Sequence, residues 1–324
     1  MSRSQQVGSL EVVRSGRFPR VVRLRDEWYE FVDDPGAFLS ALRQAGPLRG
    51  DLFTFVQEVP DAEPRHAYAC EVDEVAVVPL TDYETWWRKQ VNDKTRNMIR
   101  KCQRSGVEFR PVAFDDALVE GIHRIYNETP MRQGRRFRHF GKDRATLRAE
   151  HATFLDRSEF VGAFLKDELI GFIKLVHGRG IANLMNIIAL VGQRDKAPTN
   201  GLIAEAVARC CQAGIPRLMY GSWSRRSMGD FKRHHAFACV QVPRYYVPLT
   251  LRGRVALALG LHRPWESRLP EGWEDRLVAL RNRWNTRRTA APAPVRPPAR
   301  VEPAATPAPL VGAPVGAELT RSGK

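Results

Sequence analysis

The fold of this protein is decided by a stretch that begins Glu159-Phe-Val-Gly-Ala-Phe-Leu165, turns at Lys166-Asp-Glu168 and continues Leu169-Ile-Gly-Phe-Ile-Lys-Leu-Val176. Two short runs rich in Val, Ile and Phe, separated by a polar break, predict a β-hairpin. Further along, the pattern predicts a strand at 181–190, a helix at 201–212 and a short strand at 217–221. The predicted order is therefore strand, strand, strand, helix, strand.

The chain of 324 residues is long enough for one large domain or two ordinary ones. Changes in composition and pattern along it predict five segments. They are a disordered N-terminus at 1–16, an N-terminal part at 17–80, a main domain at 81–250, a basic amphipathic helical segment at 251–288 and a disordered tail rich in Pro and Ala at 289–324.

The formal net charge is +15, from 51 Lys and Arg against 36 Asp and Glu. A charge of this size indicates an anionic partner, which can be nucleic acid such as tRNA, an anionic cofactor or an anionic membrane surface. Charge alone does not choose among these three.

Hydrophobicity along the chain bears on its location. No run of 18 apolar residues occurs, so we expect no transmembrane helix. The N-terminal residues lack the apolar run of a signal peptide, so a cytoplasmic protein is expected. Peripheral attachment to the inner face of the membrane stays open, because the segment 251–288 combines Trp with basic residues.

Several catalytic and metal-binding motifs are missing from the sequence. The five cysteines form no CxxC pair and show no zinc-ligand spacing, so no metal site is predicted. A P-loop, GxGxxG, GxSxG and HExxH are also absent. The sequence therefore gives little support to a hydrolase or a metalloenzyme.

A strongly basic helix is predicted over 94–104, ended by Gly106. Met98, Ile99 and Cys102 form its apolar side, and the remaining surface carries Lys and Arg. Such a face is either a solvated surface or a contact for phosphates of a cofactor, an RNA or a lipid.

A basic and aromatic loop follows Pro130: Met131-Arg-Gln-Gly-Arg-Arg-Phe-Arg-His-Phe-Gly-Lys142. One interpretation is a mobile charged loop. The other is a binding loop, since loops carry a large share of binding residues. In the second case Arg132, Arg135 and His139 are candidates for binding an anionic donor or acceptor.

The predicted order of elements resembles the core of the GNAT superfamily of N-acyltransferases. Lys94-Thr-Arg-Asn-Met-Ile-Arg-Lys-Cys-Gln-Arg-Ser-Gly106 resembles a helix of its FemAB-like branch, and Gly229-Asp-Phe-Lys-Arg-His-His-Ala-Phe237 resembles a segment after that branch's last core strand. The resemblance covers roughly residues 80–250. It implies an α/β (α+β) fold with a mixed, largely antiparallel central sheet flanked by helices, followed here by C-terminal helices and the tail. Residues 17–80 then correspond to a degenerate first GNAT-like half.

The resemblance also bears on the acyl donor. GNAT enzymes hold the pyrophosphate of acyl-CoA, such as acetyl-CoA, with backbone N–H groups of a glycine-rich loop before a helix. Here Gln193 and Arg194 can start that loop, but Lys196-Ala-Pro198 stands where glycines are expected. Some FemAB-like relatives take the acyl group from aminoacyl-tRNA, so that donor stays open.

The chemistry implied by the resemblance is attack of an amine on a thioester or ester, which needs a base and a proton donor. Glu128 is a candidate base, although an exposed carboxylate at a helix end is the alternative. Tyr220, at the end of a core strand, is a candidate proton donor, and Asn186 lies near a strand end where ligands bind. Lys232 joins Arg132, Arg135 and His139 as a candidate for binding an anion.

Three functions remain possible from the sequence. The first is an N-acyltransferase that uses acyl-CoA and acts on an amine of a sugar, amino acid or peptide, such as a cell-envelope precursor. The second is an aminoacyl-tRNA-dependent transferase that acts on a peptide or lipid. The third is a non-catalytic RNA-binding module, which the net charge of +15 also fits.

Overall fold

The protein is organised around one mixed sheet of eleven strands. Its structure, a computed structural model, describes residues 3–45, 49–224 and 227–263. The strands are β1 (Arg3–Val7), β2 (Leu10–Ser15), β3 (Val21–Leu24), β4 (Leu52–Val56), β5 (Ala69–Pro79), β6 (Val107–Val112), β7 (Met131–Arg132), β8 (Arg135–Arg136), β9 (Ser158–Leu165), β10 (Glu168–His177), β11 (Ala182–Ala189), β12 (Arg217–Ser222) and β13 (Ala238–Pro248). Strands β7 and β8 form a separate small hairpin.

The helices flank this sheet. They are α1 (Pro35–Gln44), α2 (Tyr83–Thr85), α3 (Asp93–Arg104), α4 (Asp116–Asn127), α5 (Arg144–His151), α6 (Pro198–Gln212), α7 (Ser227–His234) and α8 (Leu251–Ala258). A π-helical turn at Trp86–Gln90 and 3₁₀ turns at Leu155–Arg157 and Val191–Lys196 connect some of them.

The large sheet has the order β1-β2-β3-β4-β13-β5-β12-β11-β10-β9-β6. Its neighbours β3–β4 and β11–β12 are parallel, and its other pairs are antiparallel. The predicted mixed, largely antiparallel sheet with flanking helices is confirmed.

The predicted order of strand, strand, strand, helix, strand is also confirmed, as β9, β10, β11, α6 and β12. Strand β10 is buried along almost its whole length, which explains its continuous apolar run. Ile173 on β10 packs in the cluster that contains α3 and α6, whereas Phe172 packs in the cluster that contains α4 and α5. The sheet therefore has a helical layer on each side of β10.

Helix α3 has the predicted amphipathic form. The Asn92 side chain caps its N-terminus by accepting a hydrogen bond from the N–H of Thr95 at 2.8 Å. Thr95, Ile99 and Cys102 are buried. The basic residues Lys94, Arg100, Lys101 and Arg104 are exposed, and Arg96 is half-buried. The basic face of α3 is therefore a surface of the folded protein.

The N-terminus differs from the prediction of a disordered segment at 1–16. Strands β1 and β2 pair there, and Val7 and Val12 are 2% and 0% exposed. The prediction was wrong because each strand is short and carries few apolar residues. These strands are stabilised by pairing with β3 and packing on α1, which no local pattern shows.

The C-terminal predictions are met only in part by described residues. Helix α8 lies at the start of the predicted helical segment 251–288. Residues 264–288 of that segment and the whole predicted tail at 289–324 lie outside the described residues. The assignment of 17–80 as a degenerate GNAT-like half stays a prediction. None of the helices that the structure describes is long and apolar enough to cross a membrane.

Candidate functional site

The central sheet opens between β11 and β12. These parallel strands pair at only two positions, Ala182 with Leu218 and Asn183 with Met219. Beyond these pairs they separate, and Asn186 on β11 and Tyr220 on β12 are only partly buried. An extended ligand placed between the unpaired parts of the two strands would lie against their main-chain hydrogen-bonding groups.

A β-bulge lies on β11 at the opening. Lys174 of β10 is opposite Asn186, but the next residue, Leu175, is opposite Leu184, so Met185 is an extra residue. A bulge of this kind changes the direction of the side chains around it. As a result, both Met185 and Asn186 line a cavity next to β11.

This cavity, which we call the α4–α5 cavity, has a volume of about 360 Å³. It is lined by Tyr126, Arg138, His139, Lys142, Glu150, His151, Met185 and Asn186. The end of α4, the basic loop, the end of α5 and the bulge of β11 each contribute to it. The structure thus brings the predicted residues His139 and Asn186 into one cavity.

Tyr126 and His151 form a buried pair in the cavity wall. The hydroxyl of Tyr126 lies 3.3 Å from Nε2 of His151. Burial raises the pKa of Tyr126, so its phenol stays protonated at neutral pH. Burial, reinforced by the nearby Lys174, lowers the pKa of His151 to about 4, so the imidazole is neutral. Its Nδ1 is buried without a hydrogen-bond partner among the described residues.

Lys174 forms hydrogen bonds with the backbone next to this pair. It is fully buried on β10, and its Nζ donates to the carbonyl of His151 at 2.8 Å and to the hydroxyl of Thr153 at 3.1 Å. It also donates to the Thr153 carbonyl. Burial lowers the pKa of Lys174 to about 8. Lys174 therefore fixes the end of α5, and with it the position of His151.

His139 lies between two basic side chains. Arg138 Nε is 2.9 Å from its Nε2, and Lys142 Nζ is 3.0 Å from its Nδ1. Burial, together with these two cations, lowers the pKa of His139 to about 4. Lys142 also pairs with Glu150.

Glu128 lies outside the cavity, at the end of α4. Its Oε2 accepts a hydrogen bond from the N–H of Val191 at 2.6 Å, and its Oε1 accepts one from the N–H of Gly192 at 2.8 Å. Arg132 Nη2 also donates to it, at 3.2 Å. The predicted base thus holds the turn that follows β11.

Arg132 and Arg135 have different surroundings. The guanidinium of Arg132 donates to the carbonyls of Ala189 and Ile125, both at 2.8 Å, and lies over the ring of Phe137. Burial lowers its pKa. Arg135 is exposed on the β7–β8 hairpin. Arg132 therefore joins α4, β11 and the basic loop, while Arg135 faces the solvent.

The loop before α6 offers few backbone donors. Helix α6 begins with Pro198, which has no N–H, and no side chain caps it. Ala197 adopts the left-handed conformation with φ 55°, which favours glycine. Gln193 is half-buried, with Oε1 lacking a partner among the described residues, and Arg194 is exposed.

Tyr220 and Lys232 meet on the β12 side of the opening. Lys232 is buried, and its Nζ donates to the carbonyls of Tyr220 and Ser222 at 2.7 and 2.6 Å. Burial lowers the pKa of Lys232 to about 8 and raises that of Tyr220 to about 12. Lys232 thus fixes the end of β12, and Tyr220 keeps its proton at neutral pH.

The sequence did not identify six of the cavity residues: Tyr126, Arg138, Lys142, Glu150, His151 and Met185. A signal existed for two of them, because Arg138 and Lys142 belong to the basic loop. Tyr126 and His151 lie on apolar helix faces, where they cannot be distinguished from core residues. Across the described ranges, no three His, Cys, Asp or Glu side chains are grouped as metal ligands would be.

Comparison with solved structures shows what this fold is similar to. FemX superposes with a TM-score of 0.55 at 9% identity, over 80% of this chain and 90% of that one. The C-terminal domain of a putative lysylphosphatidylglycerol synthetase from Agrobacterium fabrum has a TM-score of 0.51 at 13% identity, over 79% and 86%. L-PGS from Bacillus licheniformis has 0.50 at 14% identity, over 79% and 88%.

At these identities the similarity shows the fold alone, which agrees with the predicted mixed, largely antiparallel sheet flanked by helices. No family model matches the sequence. No curated protein matches it either.

Proposed function

We propose that this protein transfers an acyl or aminoacyl group to an amine. The observation that carries the proposal is the α4–α5 cavity, whose lining includes Met185 and Asn186 at the bulge of β11, the strand that pairs with β12 at only two positions. An acyl donor extended along the opening and an amine in the cavity would have their reacting atoms next to this bulge. The fold shared with FemX, with the C-terminal domain of a putative lysylphosphatidylglycerol synthetase and with L-PGS supports this class of function.

The proposed step forms an N–C bond to the acyl carbon and breaks its C–S bond in a thioester or its C–O bond in an ester. The ammonium of the acceptor must first lose a proton, and Glu150 supplies the carboxylate that lines the cavity. Tyr220, with its pKa raised to about 12, is protonated; it would give its proton to the leaving group and take up the second proton that the amine nitrogen loses as the amide forms. Asn186 can donate its amide N–H to the developing oxyanion.

In this proposal Glu128 has a positioning role. Its two oxygens accept hydrogen bonds from Val191 and Gly192, and Arg132 shares one of them. These contacts hold the turn after β11 in place. Lys174 and Lys232 act in the same way on the two walls of the site.

The donor is acyl-CoA or aminoacyl-tRNA, and one observation favours the second. The amides of Val191 and Gly192 are already bonded to Glu128, and Pro198 and Ala197 replace glycines at the start of α6. Few backbone donors are left there for a pyrophosphate. The exposed basic residues of α3 offer an alternative contact for the phosphates of an RNA.

A transfer assay combined with a thermal-shift screen tests the proposal. The full chain is incubated with acetyl-CoA, longer acyl-CoAs or aminoacyl-tRNA, together with a mixture of amines, and products are detected by mass spectrometry. A donor present at a hundred times its Kd should add about 2.7 kcal/mol to the free energy of unfolding. Acylated amine should form with at least one donor.

Variants then locate the activity. Asn186→Ala and Glu150→Gln should lower the rate of transfer at least tenfold, while Arg136→Ala, on the exposed β7–β8 hairpin, should not change it. If the basic loop contacts the donor, Arg135→Ala should reduce the rise in melting temperature that the donor causes. If no donor changes the melting temperature and no acylated amine forms, the proposal is wrong. RNA binding that weakens with salt, without any transfer, would then favour the non-catalytic alternative.

A further inference from the structure

The charged groups of the α4–α5 cavity are unequal in number. Arg138 and Lys142 bring two cations to it, and Glu150 is the carboxylate among its lining residues. His139 and His151 are neutral at pH 7, because burial and neighbouring cations lower both pKa values to about 4. The lining therefore carries a net charge of about +1 at neutral pH.

His139 cannot satisfy both cations that face it. A neutral imidazole has one N–H and one accepting nitrogen. Arg138 Nε, a donor, lies 2.9 Å from one ring nitrogen, and Lys142 Nζ, also a donor, lies 3.0 Å from the other. In either tautomer, one cation faces an N–H group. One donor of the cavity therefore lacks an acceptor on this ring. Lys142 also has Glu150 as an acceptor, so an oxygen from a ligand would serve Arg138 or share Lys142 with Glu150.

Glu150 offers the opposite charge a short distance away. Its Oε2 lies 3.9 Å from Nδ1 of His139, and its Oε1 accepts from Lys142. The Glu150 side chain is 42% exposed, so a ligand can reach it. An anion that binds Lys142 would weaken the hold of Lys142 on Glu150 and leave that carboxylate available to an ammonium group.

We propose that the α4–α5 cavity binds an acceptor in which an anionic group and a primary amine lie a few bonds apart, with the anion beside the His139 ring in reach of Arg138 and Lys142 and the amine on Glu150. This assignment rests on the acyl-transfer function proposed above and names the chemical class of its acceptor. The anionic group can be a phosphate or a carboxylate.

The size of the cavity agrees with this class. A volume of about 360 Å³ is at the lower end of the range for small-molecule sites, roughly 300–1,000 Å³. It holds a small head group or an amino acid, and a larger acceptor would enter it with one end only. The net charge of the lining favours a phosphorylated amine over a simple amino acid.

Binding to the full chain tests the assignment without relying on catalysis. The ligands are O-phosphoethanolamine, glycine, ethanolamine and inorganic phosphate, measured by calorimetry at low salt. O-Phosphoethanolamine should bind at least tenfold more tightly than ethanolamine or inorganic phosphate, because only it engages both charged sides. Glycine binding as tightly as O-phosphoethanolamine would make the anionic group a carboxylate, and weaker glycine binding would make it a phosphate; both results support the assignment.

Three variants separate the two sides of the cavity. Arg138→Ala should weaken O-phosphoethanolamine and inorganic phosphate together, by at least tenfold. Glu150→Gln should weaken O-phosphoethanolamine but not inorganic phosphate. Arg136→Ala, which removes an exposed arginine outside the cavity, is the matched control and should change neither. The melting temperature of each variant without ligand checks that it is folded.

The assignment is overturned if ethanolamine or inorganic phosphate binds as tightly as O-phosphoethanolamine, if Glu150→Gln does not change that preference, or if none of the four ligands binds at 10 mM, roughly the weakest binding of interest here. It is also overturned if amines with and without an anionic group are acylated equally well, although acyl transfer itself then stands. A different result is selective binding of O-phosphoethanolamine with no acyl transfer from any donor. The cavity assignment then holds, and the proposed function fails.

Discussion

The carboxylate of Glu128 accepts a hydrogen bond from the backbone N–H of Gly192 at 2.8 Å, which ties the end of α4 to the turn before α6. The same carboxylate accepts from Val191 and from the half-buried Arg132. A negatively charged side chain thus occupies main-chain donors that would otherwise face the opening between β11 and β12.

The first prediction concerns this contact. Glu128→Ala should lower the free energy of unfolding by roughly 2 kcal/mol, because it removes charge-assisted hydrogen bonds and leaves Arg132 without its carboxylate. The measurement is urea denaturation. Glu120→Ala, which removes an exposed ion pair with Arg144 from the same helix, is the control and should cost at most about 1 kcal/mol. Equal stability of wild type and Glu128→Ala would show that the turn after β11 is held by other contacts.

The second prediction concerns Lys232. Lys232→Met keeps the apolar length of the side chain but removes the donor to the carbonyls of Tyr220 and Ser222. We expect a loss of about 1–3 kcal/mol in unfolding free energy, because these acceptors lose a buried partner. Transfer activity should also fall, since the end of β12 carries Tyr220.

Arg233→Met provides the comparison, because this neighbouring side chain is 54% exposed. It should change stability by no more than about 0.5 kcal/mol. Should the two substitutions have equal effects on stability and on activity, Lys232 would have no special role in shaping the site.

The third prediction concerns the dependence of stability on pH. Burial lowers the pKa of His151 and of His235 to about 4, below the value near 6.5 of an unfolded chain. Between these values the unfolded state binds more protons, so stability is complete above pH 6.5 and is lost as the pH falls toward 4. Each histidine should cost about 2 kcal/mol between pH 7 and pH 5.

Urea denaturation at several pH values measures this loss. His235→Gln should reduce the loss of unfolding free energy between pH 7 and pH 5 by about 2 kcal/mol, because one of the two buried histidines is removed. This holds whatever the substitution does to stability at pH 7. His234→Gln, at the neighbouring and less buried position, serves as control. The prediction fails if His235→Gln has the same slope between pH 5 and pH 7 as the wild type.

The fourth prediction concerns the attachment of the N-terminal strands. Arg244 on β13 donates to Glu27 at 2.9 and 3.2 Å and to Asp73 at 2.7 Å, with its side chain only 13% exposed. Arg244→Met should destabilise the protein by about 2–3 kcal/mol, because Asp73 and the buried Glu27 lose a charge-assisted donor. Among the described residues, Glu27 then keeps only the half-exposed Arg23 as a partner. Adding Glu27→Gln should restore part of the loss, since it removes the charge of Glu27.

The exposed pair of Arg25 and Glu11 is the control for this network. Arg25→Met should cost at most about 1 kcal/mol. Calorimetric melting of the three variants gives the comparison, and an Arg244→Met effect as small as that of Arg25→Met would contradict the prediction.

Prediction from the sequence succeeded where the pattern is local. The apolar runs of β9 and β10, the helix α6 and the amphipathic α3 are all visible in a window of a few residues. It failed at β1 and β2, because their stability depends on pairing partners and on α1.

The candidate site shows the same division. His139 and Asn186 were named from the sequence, and the structure brings them into one cavity. Glu128, Arg132 and Lys232 were named as well, but the structure commits their polar atoms to backbone groups. Tyr126 and His151 were not found, because a buried polar residue on a helix looks like a core residue until its neighbours are known.

What the sequence determined by itself is the order of the core elements, their mixed class and the strong positive charge. These follow from hydrophobic periodicity and composition, which act over short distances along the chain. The tertiary structure alone decided that β11 bulges at Met185, that it separates from β12, and that Arg138, His139, Lys142 and Glu150 meet beside it. Those relations join residues far apart in sequence, and only packing and strand register bring them together.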